Sequence, residues 1–178
     1  MYLAVIAAGL FAGFVNTLAG SGSLITLPLL MFLGLPANIA NGTNRIGVFV
    51  QSLVSSVSFK KQKLYTVGES LWMSVPAIAG ALLGSLIAVK INERMMELLI
   101  GGLLVFMFFV ILYKPEQWVR DHAHSAAMKR RWWVPVVFFV IGIYGGFIQA
   151  GVGFFLLAAL VLGAGMGLTR ANAHKVLI

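Results

Sequence analysis

Charge and apolarity are segregated along this chain too sharply for a fold built for water. Apolar runs cover 1–18, 23–34, 39–59, 67–89, 95–113, 132–149 and 154–165, with a last one opening near Thr169, and the charged residues fall between them with one exception, Arg45. Only 10% of the 178 residues are charged and 60% are hydrophobic, whereas roughly a quarter of a soluble domain is charged. The pattern predicts an all-α, polytopic membrane protein. Crossing the hydrocarbon takes ~20 helical residues, so 39–59, 67–89 and 95–113 qualify as full crossings while 23–34 and 154–165 fall short. The first run has neither a basic leading segment nor a cleavage signal, which predicts a membrane element rather than a removable leader.

The loops set the orientation. Segments 60–66 and 114–131 hold eight basic residues between them, against Lys90 and Arg94 in the intervening 90–94. This predicts that loops 60–66 and 114–131 are cytoplasmic, in a multi-pass membrane protein. The formal net charge of +8 is then mostly topological, and a nucleic-acid partner loses its support. Absence of cysteine excludes disulfides and thiolate metal sites.

The two short runs each follow a glycine-rich break, Gly20-Ser21-Gly22-Ser23 and Gly151-Val152-Gly153. Lipid cannot satisfy the backbone groups that such breaks free, so the breaks must be buried in protein or line a wet cavity. The breaks also belong to a repeat. Gly9, Gly13, Phe14 and Asn16 match Gly142, Gly146, Phe147 and Gln149 at an offset of 133. The match resumes at 131, pairing Gly20 with Gly151, Gly22 with Gly153, Gly34 with Gly165, Ala40 with Ala171 and Asn41 with Asn172. Three crossings lie between the copies, so the second enters from the opposite side, whether each broken pair is re-entrant or crosses twice. Inverted repeats with broken helices are the architecture of secondary transporters, with the binding site near the midplane. The expected organisation is a first repeat over 1–113, a basic loop over 114–131 and the start of a second, inverted repeat over 132–178. Carrying the offset forward from Tyr113 places the end of a complete second copy near residue 244, so the chain is expected to hold about three-quarters of the unit.

Within 39–59, Asn41, Arg45, Ser52 and Ser56 recur at spacings that share one helical face, flanked by Asn44, Gln51 and Ser55. Such a stripe faces protein or water rather than lipid. All five acids, Glu69, Glu93, Glu97, Glu116 and Asp121, lie in loops or at span ends, leaving Arg45 without an evident counter-ion. An anionic ligand suits its planar fork; alternatively, about two turns past Pro36, it snorkels outward. Arg170, His174 and Lys175 follow the same pattern in the second copy, where Lys175 reads either as a partner of the anion path or as a cytoplasmic-side charge. Asn16, Thr17, Ser21 and Ser23 furnish hydrogen-bonding groups at the first break, and the helix opening near Ser23 offers N–H groups and a positive dipole end. The second break has only Gln149. The expected substrate-binding set is therefore Asn16, Thr17, Ser21, Ser23, Asn41, Thr43, Arg45, Gln149, Asn172 and Lys175. Gly80/Gly84, Gly9/Gly13 and Gly142/Gly146 are expected at close helix contacts, including a homo-oligomer through glycine-rich faces.

Other chemistry finds little footing. His122 and His124 beside Asp121 lack a third ligand at fixed spacing and read as a solvated loop. There is no nucleophile elbow, phosphate loop or dinucleotide fingerprint, so neither an enzyme, a metal nor a cofactor is expected.

The run from Gly13 to Ser23, the pairs Leu27-Pro28 and Leu35-Pro36, and Ala40 to Arg45 resemble the TauE/SafE family of bacterial membrane transporters, and 145–153 through Lys175 resembles that family's second motif. The resemblance implies export of small sulfur oxyanions such as sulfite or sulfonates across the bacterial inner (plasma) membrane, in a longer protein of about eight membrane segments. The contrasting expectation is a membrane scaffold or assembly subunit that moves no solute.

Overall fold

The computed structural model describes residues 2–112 and 132–178, and every regular element among them is helical. In order these are α1 (Tyr2–Ala19), α2 (Ser23–Phe32), α3 (Ala37–Lys61), α4 (Val67–Lys90), α5 (Glu93–Leu112), α6 (Val134–Phe147), α7 (Val152–Ala158), which continues through a π turn at Ala159–Gly163, and α8 (Leu168–Leu177). Tyr113 and the basic loop 114–131, with Asp121, His122 and His124, lie outside the described residues.

The chain is an all-α membrane protein. Large apolar side chains point outward in helical stripes: Ile6, Leu10, Phe14 and Leu18 on α1, and Leu71, Val75, Ile78, Leu82 and Leu86 on α4. An apolar exterior of this extent is what lipid requires and what water penalises. At ~1.5 Å per residue, the 25, 24 and 20 residues of α3, α4 and α5 each reach the ~30 Å of a hydrocarbon core. Among the described residues, α4 is the one helix that holds a stretch long and apolar enough, by length and composition, to cross a membrane. α3 carries its polar stripe, and α5 opens on Glu93, Arg94 and Glu97.

The glycines explain how the helices approach. α4 and α6 form the largest helix pair among the described residues. A Cβ on Gly80 would overlap the Phe139 carbonyl, one on Gly84 the Ile143 carbonyl, one on Gly142 the Ala77 carbonyl and one on Gly146 the Ala81 carbonyl. Small residues on both helices thus let backbone lie on backbone, the way membrane helices gain dispersion contact without a hydrophobic driving force. Gly9 and Gly13 on α1, expected to pack likewise, meet no atom within 4 Å among the described residues.

Both breaks are turned by a left-handed glycine, Gly20 at φ +73° and Gly151 at φ +71°. Gly34 and Gly165, which end the short helices, also have positive φ, +91° and +71°. Two of the glycine pairs at an offset of 131, Gly20 with Gly151 and Gly34 with Gly165, therefore share a backbone conformation that side chains with a Cβ rarely adopt. The helix after the second break starts at Val152 rather than Phe154, because Gly151 alone makes the reversal and Ile148 is already extended. That break is latched by Tyr144, whose hydroxyl donates to the Ala150 carbonyl at 2.6 Å.

Two apolar clusters flank the breaks. One joins Met73, Phe138, Leu157, Leu160 and Met166 from α4, α6, α7, the π turn and the segment before α8. The other joins Leu27, Ala40, Met96, Ile100 and Ile148 from α2, α3, α5 and the second break.

Candidate anion site at the crossing of the two breaks

The two breaks touch. A Cβ on Gly20 would fall on the backbone of Gly153, and one on Gly153 would fall on the backbone of Gly20. Beside this crossing lies a cavity of about 500 Å³ lined by both breaks and by α3, α4, α6 and α8. Five of the ten expected site residues line it: Asn16, Ser23, Arg45, Gln149 and Lys175. Ser52 and Ser56 line it too, so most of the polar stripe of α3 faces this space.

Among the described residues, two cationic side chains, Arg45 and Lys175, line the cavity, and no Asp or Glu side chain does. Each cation is tied to the other half of the chain. Arg45 Nη2 donates to the Gly146 carbonyl and, at 3.3 Å, to the Phe147 carbonyl, which end α6. Lys175 Nζ donates to the Asn16 and Thr17 carbonyls, both at 3.1 Å, near the end of α1. The final carbonyls of a helix lack intrahelical donors and carry its negative dipole end, so a cation there stabilises it. Asn41 adds a second donor to the Phe147 carbonyl at 3.0 Å. Arg45 thus turns inward rather than snorkelling, and Lys175, 7% exposed, is no surface charge.

The other expected residues are placed differently. Thr17 donates to the Gly13 carbonyl and accepts from Gln51 Nε2 at 2.6 Å, with Gln51 also bonded to Asn16 and the Gly13 carbonyl. Gln51, absent from the expected set, both organises α1 and lines the cavity; its position beside the α3 stripe was the available signal. Asn41 is buried against Phe147, with its Oδ1 unpaired. Ser21, Thr43 and Asn172 do not line the cavity, and Thr43 is exposed. The expected cradle of free N–H groups at the start of α2 is largely occupied, since Leu24 donates to the Ser21 carbonyl and Ile25 and Thr26 to the Gly22 carbonyl. A tight turn folded back on those donors leaves the positive dipole end but few open amides.

Arg170 does not join the cationic pair. It pairs with Glu69 at 3.1 Å, and His174 Nε2 lies 3.5 Å from the same carboxylate oxygen. These contacts span more than a hundred residues, beyond the reach of helical spacing, so Glu69 had looked like a solitary charge at a span end.

A family model described as "Sulfite exporter TauE/SafE" matches residues 5–178. Among curated proteins, the chain is 30% identical to a "Probable membrane transporter protein ORF9" of Sinorhizobium sp, over 94% of this chain and 63% of that one. It is 26% identical to a "Probable membrane transporter protein" of Haemophilus influenzae, over 93% and 64%. To "Probable membrane transporter protein YfcA" of Escherichia coli K12 it is 25% identical, over 95% and 62%. The chain therefore spans a little under two-thirds of the length of these relatives. No solved structure matches.

Proposed function

We propose that this chain, which belongs to the sulfite exporter TauE/SafE family, forms the greater part of a secondary transporter that exports small oxyanions of the sulfite or sulfonate type across a bacterial inner membrane. The observation that carries the reading is the cavity at the crossing of the two breaks, lined among the described residues by two cations from opposite halves of the chain and by no Asp or Glu. A dianion or monoanion entering there meets Arg45, which presents paired donors in a plane, and Lys175, a mobile point charge. The dipole ends of α2 and α7 add positive potential from the far side of each break. Asn16, Ser23, Gln51 and Gln149 supply neutral hydrogen bonds that orient the ligand.

The same cations that cap α6 and α1 would exchange backbone carbonyls for the anion, so ligand entry loosens the two helix ends in step. With the repeats inverted, this ties the site to both halves that alternate access must move. α3 and α5 cross the membrane with α4, and loops 60–66 and 114–131 face the cytoplasm.

Efflux of radiolabelled sulfite and of methanesulfonate from vesicles carrying the protein tests the reading. Arg45→Ala and Lys175→Ala are each expected to slow flux at least tenfold, on the basis of about 1.5–3 kcal/mol for a charge-assisted hydrogen bond. Asn41→Ala is expected to weaken it less, by loosening the Phe147 carbonyl. Unchanged flux in both cation variants would sink the reading and favour a scaffold that moves no solute.

A further inference from the structure

A second polar centre lies outside the cavity, between α4 and α8. His174 is fully buried. Its Nδ1 is 2.7 Å from Ser70 Oγ, and its Nε2 faces Glu69 Oε2 at 3.5 Å. Arg170, one turn earlier on α8, holds the same carboxylate oxygen. Ser70 Oγ is also 3.3 Å from the Thr66 carbonyl. The Tyr65 ring stands edge-on to the imidazole, 6.1 Å between centroids.

This arrangement offers one additional proton a hydrogen-bond acceptor at Nδ1 and a carboxylate counter-charge facing Nε2. With His174 neutral, the Ser70 hydroxyl donates to Nδ1, and Nε2 carries the proton with no hydrogen-bond partner, 3.5 Å from Glu69 Oε2. When Nδ1 is protonated, it donates to Ser70 Oγ, whose hydrogen turns to the Thr66 carbonyl, while Nε2–H keeps Glu69 as counter-charge. In the protonated form the Nδ1 hydrogen has Ser70 Oγ as acceptor, and Nε2, which makes no hydrogen bond, has the Glu69 carboxylate 3.5 Å away as the counter-charge a buried cation requires. Glu69 has 31% of its side chain exposed, providing a route for the proton from the face that carries Lys60, Lys61 and Lys63.

Other charged groups nearby do not supply a competing acceptor. α4 offers Glu69; the segment before it, Tyr65; α8 itself, Arg170 and Lys175. α3 brings Arg45, tied to the α6 carbonyls, with Lys60 and Lys61 in its last turn. The described side chains of α1, α7 and the π turn include no titratable group. Glu69 is thus the one carboxylate at the cluster among the described residues.

His174 adjoins Lys175, so one short helix carries both this centre and a cavity cation. We propose that the Glu69–Ser70–His174 cluster is a proton-loading site coupled through α8 to occupancy of the anion cavity. The coupling rests on the anion reading above. An imidazolium one residue from Lys175 raises the positive potential at the cavity, so proton and anion each favour the other's binding, and by linkage the effect is reciprocal. The substrate class is narrowed accordingly to anions that travel with a proton.

The test uses the protein in lipid nanodiscs with labelled histidine, following His174 by NMR between about pH 5 and 8, the range in which histidine ordinarily changes charge. His174→Gln identifies its signal among the three histidines. In parallel, the affinity for methanesulfonate, whose own charge is constant over that range, is measured at both ends. We expect His174 to titrate and wild-type affinity to be at least about fivefold tighter at the acid end, the lower edge of ordinary coupling between sites. His174→Gln should bind methanesulfonate with that pH dependence lost, and Glu69→Gln should reduce it. A histidine that never changes state in the wild-type protein, or a His174→Gln variant that keeps the full pH dependence, would overturn the proposal. Absence of methanesulfonate binding at either pH, with His174 titrating, would instead overturn the anion reading beneath it.

Discussion

Arg45 and Lys175 each close the end of a helix that belongs to the other half of the chain, and this reciprocity gives both residues structural and ligand-binding consequences. Arg45→Lys keeps the charge but loses the second donor of the planar fork, so anion affinity is expected to fall about tenfold with thermal stability in detergent nearly unchanged. Arg45→Ala should lower both, because the carbonyls of Gly146 and Phe147 lose their charged donor. Arg45 was legible as the lone cation in an apolar run. The burial of Lys175 was not, since a lysine following a short apolar run has the same sequence appearance whether it lies at the headgroups or beneath a helix end. What separates the two cases is its contact with Asn16 and Thr17, nearly 160 residues away. Arg170 was misleading for the converse reason: its partner Glu69 sits on a different helix.

The elements follow from glycine spacing more than from hydropathy. Along α4 and α6, Gly80, Gly84, Gly142 and Gly146 bring backbone against backbone, and replacing any of them with Ala forces the helices apart. Gly84→Ala and Gly142→Ala are expected to destabilise the protein by about 1–3 kcal/mol, read as a loss of thermal stability in detergent. Gly9→Ala, where a Cβ meets nothing described, should be neutral or slightly stabilising, because Ala is the better helix former by roughly 0.5–1 kcal/mol. At the crossing, Gly153→Ala is expected to separate the breaks and abolish anion binding even where the protein still folds. Helix positions were largely readable from apolar runs and breaks. The π turn at Ala159–Gly163, where a Cβ on Gly163 would crowd the Trp133 ring, was not, because nothing in the apolar run 154–165 distinguishes it from an ordinary helix.

At the scale of the whole molecule, the paired glycines share left-handed conformations at the two breaks and at the ends of the two short helices. The inverted repeat proposed from the sequence would give that recurrence and bring the breaks together at one cavity. The absence of native cysteine makes orientation directly measurable. A single cysteine at Gln62 is expected to be labelled only from the cytoplasmic side, and one at Asn92 only from the opposite side; labelling of both from the same side would refute the assignment of α4 as a crossing. The central claim is that an oxyanion sits between Arg45 and Lys175 where the breaks cross. It is tested most directly by crystals grown with selenate, whose selenium can be located by anomalous scattering. The account predicts a single strong peak in the cavity within hydrogen-bond reach of both cations, lost in the Arg45→Ala, Lys175→Ala double variant. A cavity without selenium, in crystals whose loop and lattice sites carry it, would contradict that claim.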